Sequence, residues 1–354
     1  MKFKKIIHYI IDIIKNIFSK KDVIYIIENS NWSIGWDGHY ITRALKSFLK
    51  SDYRVTSKFL ENTIIHFGSI HTFLKQDSFV SISRSNNIVV TWFHVVAEDP
   101  RLKKVPELNK KIDLLHVSCN ITKKMLVKYG MQEDKIIVIP LGVDTKMFIS
   151  SKIKQNILRK KLDISSDVIV VGSFQKDGIG WKEGSIPKLE KGPDVFCDTI
   201  EQLAKRYPIH VLLTGPARGY VKKRLSSLGI RYTHRYLKNY IDIVDYYNIL
   251  DLYLITSRYE GGPKGLLEAW ACEIPVISTQ VGMVQDIADH KKTCWIAGIE
   301  DVDSLVKGME WLLDNDIKRK NIVKNAKKQV QLYDWEQIGF LYYKKIYEKI
   351  ITKK

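Results

Sequence analysis

Short, almost wholly apolar runs alternate with helical stretches along most of the chain. The first series of runs is 23–28, 63–67, 88–93, 113–117 and 136–139. A second follows at 168–172, 209–214, 250–255 and 274–278. Helical patterns fall between them, at about 38–50, 120–130, 193–206, 219–228 and 263–272. Strands apolar on both faces belong to parallel sheets covered by helices, so the alternation predicts an α/β chain. The series restarts after a polar, lysine-rich stretch at 151–163. Two doubly wound domains facing across a cleft are therefore expected, with ligands at the carboxyl ends of the strands. Further helical patterns follow at 303–331 and 334–351.

The length of 354 residues suits two domains. Four separated cysteines (Cys119, Cys197, Cys272, Cys294) include no C-x-x-C pair, which argues against a structural zinc site and for a reduced, cytoplasmic setting. No run of 18 apolar residues is present.

The net charge of +18 calls for an anionic partner. Residues 1–21 hold six lysines against one acid, and residues 341–354 hold five lysines against one. Within 2–21, Phe3, Ile6, Ile7, Ile10, Ile13, Ile14, Ile17 and Phe18 follow helical spacing, while Lys5, Asp12, Lys15 and Asn16 fall largely on the other face. A basic amphipathic helix of this kind either lies in a membrane interface or packs on its own domain. Asp12 and Lys15 interrupt the apolar run of a signal peptide, and no small-residue cleavage site follows.

The segment 257–279, SRYEGGPKGLLEAWACEIPVIST, carries the strongest chemical signal. A strand runs into Ser257, a Gly-rich turn follows, and a helix is expected to start at Pro263. The free N–H groups of a helix start attract phosphate. Glu260 stands before the helix and Glu268 inside it, so phosphate and sugar hydroxyls are both catered for, or else the acids are incidental to a solvated helix.

Glu260-Gly261-Gly262-Pro263, Leu267-Glu268-Ala269 and Pro275-Val276 resemble the E-x7-E region of the retaining GT-B glycosyltransferases of family 4, the group 1 glycosyl transferases. Val138-Ile139-Pro140-Leu141-Gly142-Val143-Asp144 with Phe148 resembles their interdomain element, and Asp334-Trp335 the opening of their C-terminal helix. The resemblance implies a GT-B fold of two Rossmann-like domains. The expected division is a basic segment 1–21, an acceptor domain 22–160, a donor domain 161–332, and a helix 333–354 crossing back to the first domain. It implies transfer of a hexose from a nucleoside diphosphate sugar to a glycan or lipid-linked glycan, with retention and no obligatory metal or other cofactor. In a front-face reaction the departing phosphate accepts the acceptor's proton.

By the same resemblance Glu268 binds ribose hydroxyls, Glu260 contacts the donor sugar, and Lys191 of Lys191-Gly192 binds the diphosphate; a cation there stabilises the leaving group's growing charge. Gly261 and Gly262 form the turn. The family's Arg after the strand-end glycine is replaced by Ser173, so Lys176, Lys182 or Arg218 is expected to supply the missing charge. Pro263 stands where a Gly is usual and has no N–H, a loss that Lys264 offsets. The long loop from Gly172 to Lys191 is expected to close over the donor.

In the first half, Trp32-Ser33-Ile34-Gly35-Trp36-Asp37-Gly38-His39 is expected as a loop in which Gly35 and Gly38 admit a ligand to the backbone. His94, at a strand end, matches a family histidine near the reacting sugar and is the second catalytic candidate beside Glu260. Asp301-Val302-Asp303 spells D-x-D but reads as a helix cap. The aromatics form no nucleic-acid reader pattern, so no nucleic-acid partner is expected. The partners expected are the nucleotide sugar, a glycan or lipid-linked acceptor, and an anionic membrane surface on the cytoplasmic side. The rival readings are an epimerase or hydrolase of nucleotide sugars on the same fold, and a catalytically inactive basic surface-binding protein.

Overall fold

The structure, a computed structural model, describes residues 2–28 and 33–352. The chain divides into two compact units, Met1–Gly142 with Trp335–Lys354, and Val143–Asp334.

The first unit holds a parallel sheet of six strands: β1 (Val23–Ile26), β2 (Ser51–Arg54), β3 (Ile64–Phe67), β6 (Asn87–Thr91), β7 (Leu114–Val117) and β8 (Ile136–Val138). Between β3 and β6 a small antiparallel hairpin is made by β4 (Leu74–Lys75) and β5 (Ser78–Phe79). The order is β2-β1-β3-β6-β7-β8, with Val23 opposite Ser51 on one side and Ile64 on the other. Every residue of β1, β3 and β7 is buried, as strands covered on both faces must be.

The helix after β1 runs Ser33–Leu45, earlier than expected, so Gly35 and Gly38 lie inside it rather than in an open loop. A Cβ on Gly38 would stand 2.2 Å from Ile27 Cγ2, so that glycine lets the helix pack on the strand. Trp32, part of the same expected loop, lies outside the described residues.

The C-terminal segment (Trp335–Tyr342, a π turn at Tyr343–Tyr347, and Glu348–Ile351) belongs to this unit. Trp335 stacks on Tyr40 with ring centroids 5.4 Å apart. Two buried histidines tie the segment to the sheet: His66 Nδ1 lies 2.6 Å from the Tyr347 hydroxyl, and His116 Nδ1 3.1 Å from that of Tyr342. The N-terminal helix (Lys2–Ile17) is fastened to the residues after β2: the Val55 N–H donates to Asp12 Oδ2 at 2.7 Å, and Asn16 Nδ2 donates to the carbonyls of Thr56 and Lys58.

The second unit carries β9 (Ile169–Phe174), β10 (Ile209–Thr214), β11 (Arg231–Arg235), β12 (Leu252–Ile255), β13 (Val276–Thr279) and β14 (Trp295–Ala297). All pair in parallel in the order β11-β10-β9-β12-β13-β14. The winding reverses between β9 and β12, so a crevice opens at their carboxyl ends.

The unit begins at Val143, earlier than the expected boundary at 160. The lysine-rich stretch is a helix, Lys152–Lys161, capped by Ser151 and bound to this unit. Arg159 donates to the Ile249 carbonyl and to Asp251, and the Ser151 N–H donates to Asn248 Oδ1 at 2.6 Å. The stretch 303–331, expected to be helical, holds two helices, Val302–Leu313 and Asp316–Gln329, the second capped by Asn315. Asp301 caps the first by accepting from the Ser304 N–H, as its sequence predicts.

Candidate functional site

The loops leaving β9 and β12 meet at the reversal point. Gly192, in the left-handed region (φ 58°), caps helix Pro193–Ala204. A Cβ there would stand 2.0 Å from the Thr256 carbonyl oxygen, so glycine alone lets the two loops touch. The Thr256 hydroxyl donates to the Gly192 carbonyl at 2.8 Å. This contact places Lys191 Nζ 2.5 Å from Glu260 Oε1, and the Ser257 hydroxyl donates to the same oxygen at 3.2 Å. Both charged side chains are largely shielded, 16% and 13% exposed, so their attraction is only weakly screened.

Arg258 locks the two loops from behind. Its guanidinium donates to both oxygens of Asp194, to the Leu189 carbonyl and to Glu300. Burial pushes the Asp194 carboxyl up, but the Arg258 bonds outweigh it and hold the group below the usual range. The turn Gly261-Gly262 is seated by the Met283 N–H, which donates to the Gly261 carbonyl at 2.9 Å. Helix Lys264–Ala271 then begins one residue later than expected, with Pro263 as its cap.

Glu268 faces a pair of tyrosines. Tyr240 donates to Oε1, and Tyr247 donates to Oε2 at 2.7 Å. Burial raises this carboxyl above the ordinary glutamate range, against the opposing effect of the two hydroxyls and Lys264. Lys264 Nζ lies 5.9 Å from the centre of the Tyr240 ring. Burial and the neighbouring carboxylate drive the Tyr247 hydroxyl well up, so it remains a donor.

Arg218 is a correction. Expected as a phosphate cation, it is wholly buried and ion-paired with buried Asp177 at 2.9 Å. It also donates to the carbonyls of Ser173, Gln175 and Thr214, and to the Ser173 hydroxyl. It braces the strand end where the family's Arg is missing. Lys176 stays on the loop, half-buried, with Nζ 4.1 Å from the centre of the Trp181 ring; burial and Lys188 lower its pKa.

The 175–191 loop is fastened rather than free. It folds on itself through Ile179 N–H to the Ile186 carbonyl. Glu183 accepts from the Gly219 N–H on its carbonyl and pairs with Lys222 at 2.6 Å. A cavity of about 290 Å³ lies beside it, lined by Trp181, Lys182, Lys222, His234 and Tyr236 among others.

The structure thus brings together Lys191, Glu260, Gly261, Gly262, Lys264 and Glu268 within one unit. Gly35 and His94 lie in the other; His94 is exposed, three residues beyond β6. Sequence reasoning missed Arg258, Tyr240 and Tyr247. Only Arg258 carried a signal, as a charge inside the motif turn. Among the described residues no group of three His, Cys, Asp or Glu side chains is placed to hold a metal ion.

The sequence profile of the family "Glycosyl transferases group 1" matches residues 187–329, which include Lys191, Arg218, Tyr240, Tyr247, Arg258, Glu260, Lys264 and Glu268 but neither Lys176 nor Lys182. Residues 187–329 form a group 1 glycosyl transferase domain. Among curated relatives, the chain is 26% identical over 188 residues to the lipopolysaccharide core biosynthesis mannosyltransferase LpsB of Rhizobium meliloti, covering half of each protein. It is 28% identical over 227 residues to the N,N'-diacetylbacillosaminyl-diphospho-undecaprenol alpha-1,3-N-acetylgalactosaminyltransferase of Campylobacter jejuni, covering 63% of this chain and 56% of that enzyme. The chain spans about half the length of the curated relatives it matches. Among solved structures, Anabaena HepE in complex with UDP and glucose superposes with a TM-score of 0.74 at 15% identity, covering 92% of this chain and 99% of that one. The group 1 domain therefore sits in a chain with the GT-B fold that its motifs predict.

Proposed function

We propose that this protein transfers a hexosyl group from a nucleoside diphosphate sugar to a hydroxyl of a glycan or lipid-linked glycan, with retention and without an obligatory metal. The observation that carries the reading is the placement of the Lys191–Glu260 pair and buried Glu268 before and within one helix at the sheet's reversal point. Lys191 and the start of helix Lys264–Ala271 suit a diphosphate. Glu268 suits ribose hydroxyls, which donate where Tyr240 now donates. Glu260 suits the donor sugar, and its contact with Lys191 links sugar and leaving group.

In the transfer, the bond from the anomeric carbon to the diphosphate oxygen breaks as the acceptor oxygen bonds to that carbon. The acceptor's proton passes to a diphosphate oxygen. Lys191 stabilises the charge developing on the leaving group. His94 is assigned to the reacting sugar by its resemblance to the family's strand-end histidine. That HepE crystallises with UDP-glucose, and that the Campylobacter relative is named for a diphospho-undecaprenol substrate, supports a nucleotide sugar donor and a lipid-linked acceptor.

The test is calorimetric titration of UDP and GDP, with chelator present, into the wild type and Glu268→Ala. Binding of one nucleotide that is lost in the variant is expected. Equal binding by both proteins removes Glu268 from the donor site and overturns the reading.

A further inference from the structure

The N-terminal helix has two edges of opposite character, and the fold occupies only one. Asp12 and Asn16 face the residues after β2 and hold the helix there, with Tyr9 and Ile13 half-buried beside them. The other isoleucines are exposed. Ile6, Ile10, Ile14 and Ile17, three or four residues apart along one face, are each more than half exposed, and Phe18 is 78% exposed. An amphipathic helix that served its own core would turn these residues inward.

The charge around this face selects its occupant. Lys15 and Lys20 are exposed beside it, and the sequence adds Lys2, Lys4, Lys5 and Lys21. Asp12, the one acid of the helix, already accepts the Val55 N–H. Two copies joined through this face would bring two lysine-rich helices together, whereas an anionic bilayer offers both acyl chains and opposite charge.

We infer that the isoleucine face of helix Lys2–Ile17 docks the protein on an anionic membrane surface, lying in the interface plane with the lysines at headgroup level. The helix is some 24 Å long at ~1.5 Å per residue, and it is held flat by its polar edge rather than aimed into the bilayer. No described helix is long and apolar enough to cross a membrane, which leaves this face as an interfacial anchor rather than a span. The inference stands on the helix alone and is independent of the transfer chemistry.

The test is flotation of the full chain with vesicles of phosphatidylcholine, alone or with about a third phosphatidylglycerol. The wild type is expected to float with the anionic vesicles, less with the neutral ones, and less again at high salt. Ile10→Asn with Ile14→Asn, and separately Lys15→Glu with Lys20→Glu, are expected to reduce anionic-vesicle binding about tenfold or more. All four side chains are exposed, so the melting temperature should not move. A wild type that stays at the bottom of the gradient overturns the inference. So does an isoleucine variant that floats like the wild type. A wild-type dimer that binds no vesicles and that the isoleucine variant turns into monomer assigns the face to a second copy instead.

Discussion

Arg258 and Asp194 face each other through two parallel bonds, 2.9 and 2.7 Å long, that join the loop after β12 to the helix start after Lys191. Fork-to-fork pairing fixes direction as well as distance. The clasp therefore sets where Lys191 stands relative to Glu260.

Arg258→Ala is expected to destabilise the second unit by about 2 kcal/mol and to weaken nucleotide binding about tenfold. Arg258→Lys keeps the charge without the fork and should fall between. Urea unfolding and calorimetry of the three proteins check this. An Arg258→Lys protein that matches the wild type in both measurements would show that charge alone suffices.

The two tyrosines on Glu268 should behave oppositely. Tyr240 is half-buried on an otherwise exposed turn and donates to the oxygen proposed for ribose, so a nucleotide has to displace it. Tyr240→Phe is expected to tighten nucleotide binding about fivefold, the equivalent of one hydrogen bond. Tyr247 is fully buried and orients the carboxylate, so Tyr247→Phe is expected to weaken binding by a similar factor. Parallel titrations decide it, and two variants that change in the same direction would contradict the assignment.

These tyrosines show where the sequence stops being legible. Tyr240 and Glu268 are 28 residues apart, and nothing local to either announces the contact. The apolar strands were legible because burial on both faces writes itself as continuous Val, Ile and Leu. The edge strands β2 (SDYR) and β11 (RYTHR) were not, since an edge needs no apolar run, and β14 is only three residues long. Helix Lys152–Lys161 read only as a polar, lysine-rich stretch near the domain boundary because its charges hide its docking contacts. The Lys191–Glu260–Glu268 set was legible through its motif. The role of Arg218 was not, because a buried structural arginine and a phosphate-binding one look alike in one dimension. The N-terminal helix was legible as amphipathic, but only the structure shows that its polar edge is the packed one.

Glu268 should give the site a pH dependence. Its folded pKa is raised by burial, so the folded state holds this proton more tightly than the unfolded chain. Stability contributed by this group therefore falls as pH rises from about 4.5 through the raised value. Glu268→Gln removes that loss, and should gain stability relative to wild type between pH 4.5 and 7. Nucleotide binding runs the other way: the wild type binds better as the carboxylate forms, while Glu268→Gln binds weakly and without that rise. Thermal melts and titrations across this range measure both slopes, and a wild-type affinity that is flat with pH would sink the idea.

The first unit has its own acid sensitivity, in the histidines that hold the C-terminal segment. His116 is fully buried, donates from Nε2 to the Ile139 carbonyl and meets the Thr91 and Tyr342 hydroxyls at Nδ1, and burial takes its pKa down to about 4. His66, beside it, is lowered well below 6.5 by burial and by His116. Both are neutral in the fold and charge readily once exposed. Their contribution is present above pH 6.5 and is lost as pH falls from 6.5 towards 4, up to about 3 kcal/mol for His116 alone. The wild type is therefore expected to lose stability steeply over that window. His116→Gln, which keeps a polar partner for Tyr342 without a titrating ring, should flatten the loss while lowering stability at pH 7. Urea unfolding at a series of pH values reads both proteins, and a slope that the substitution leaves unchanged would place the acid sensitivity elsewhere.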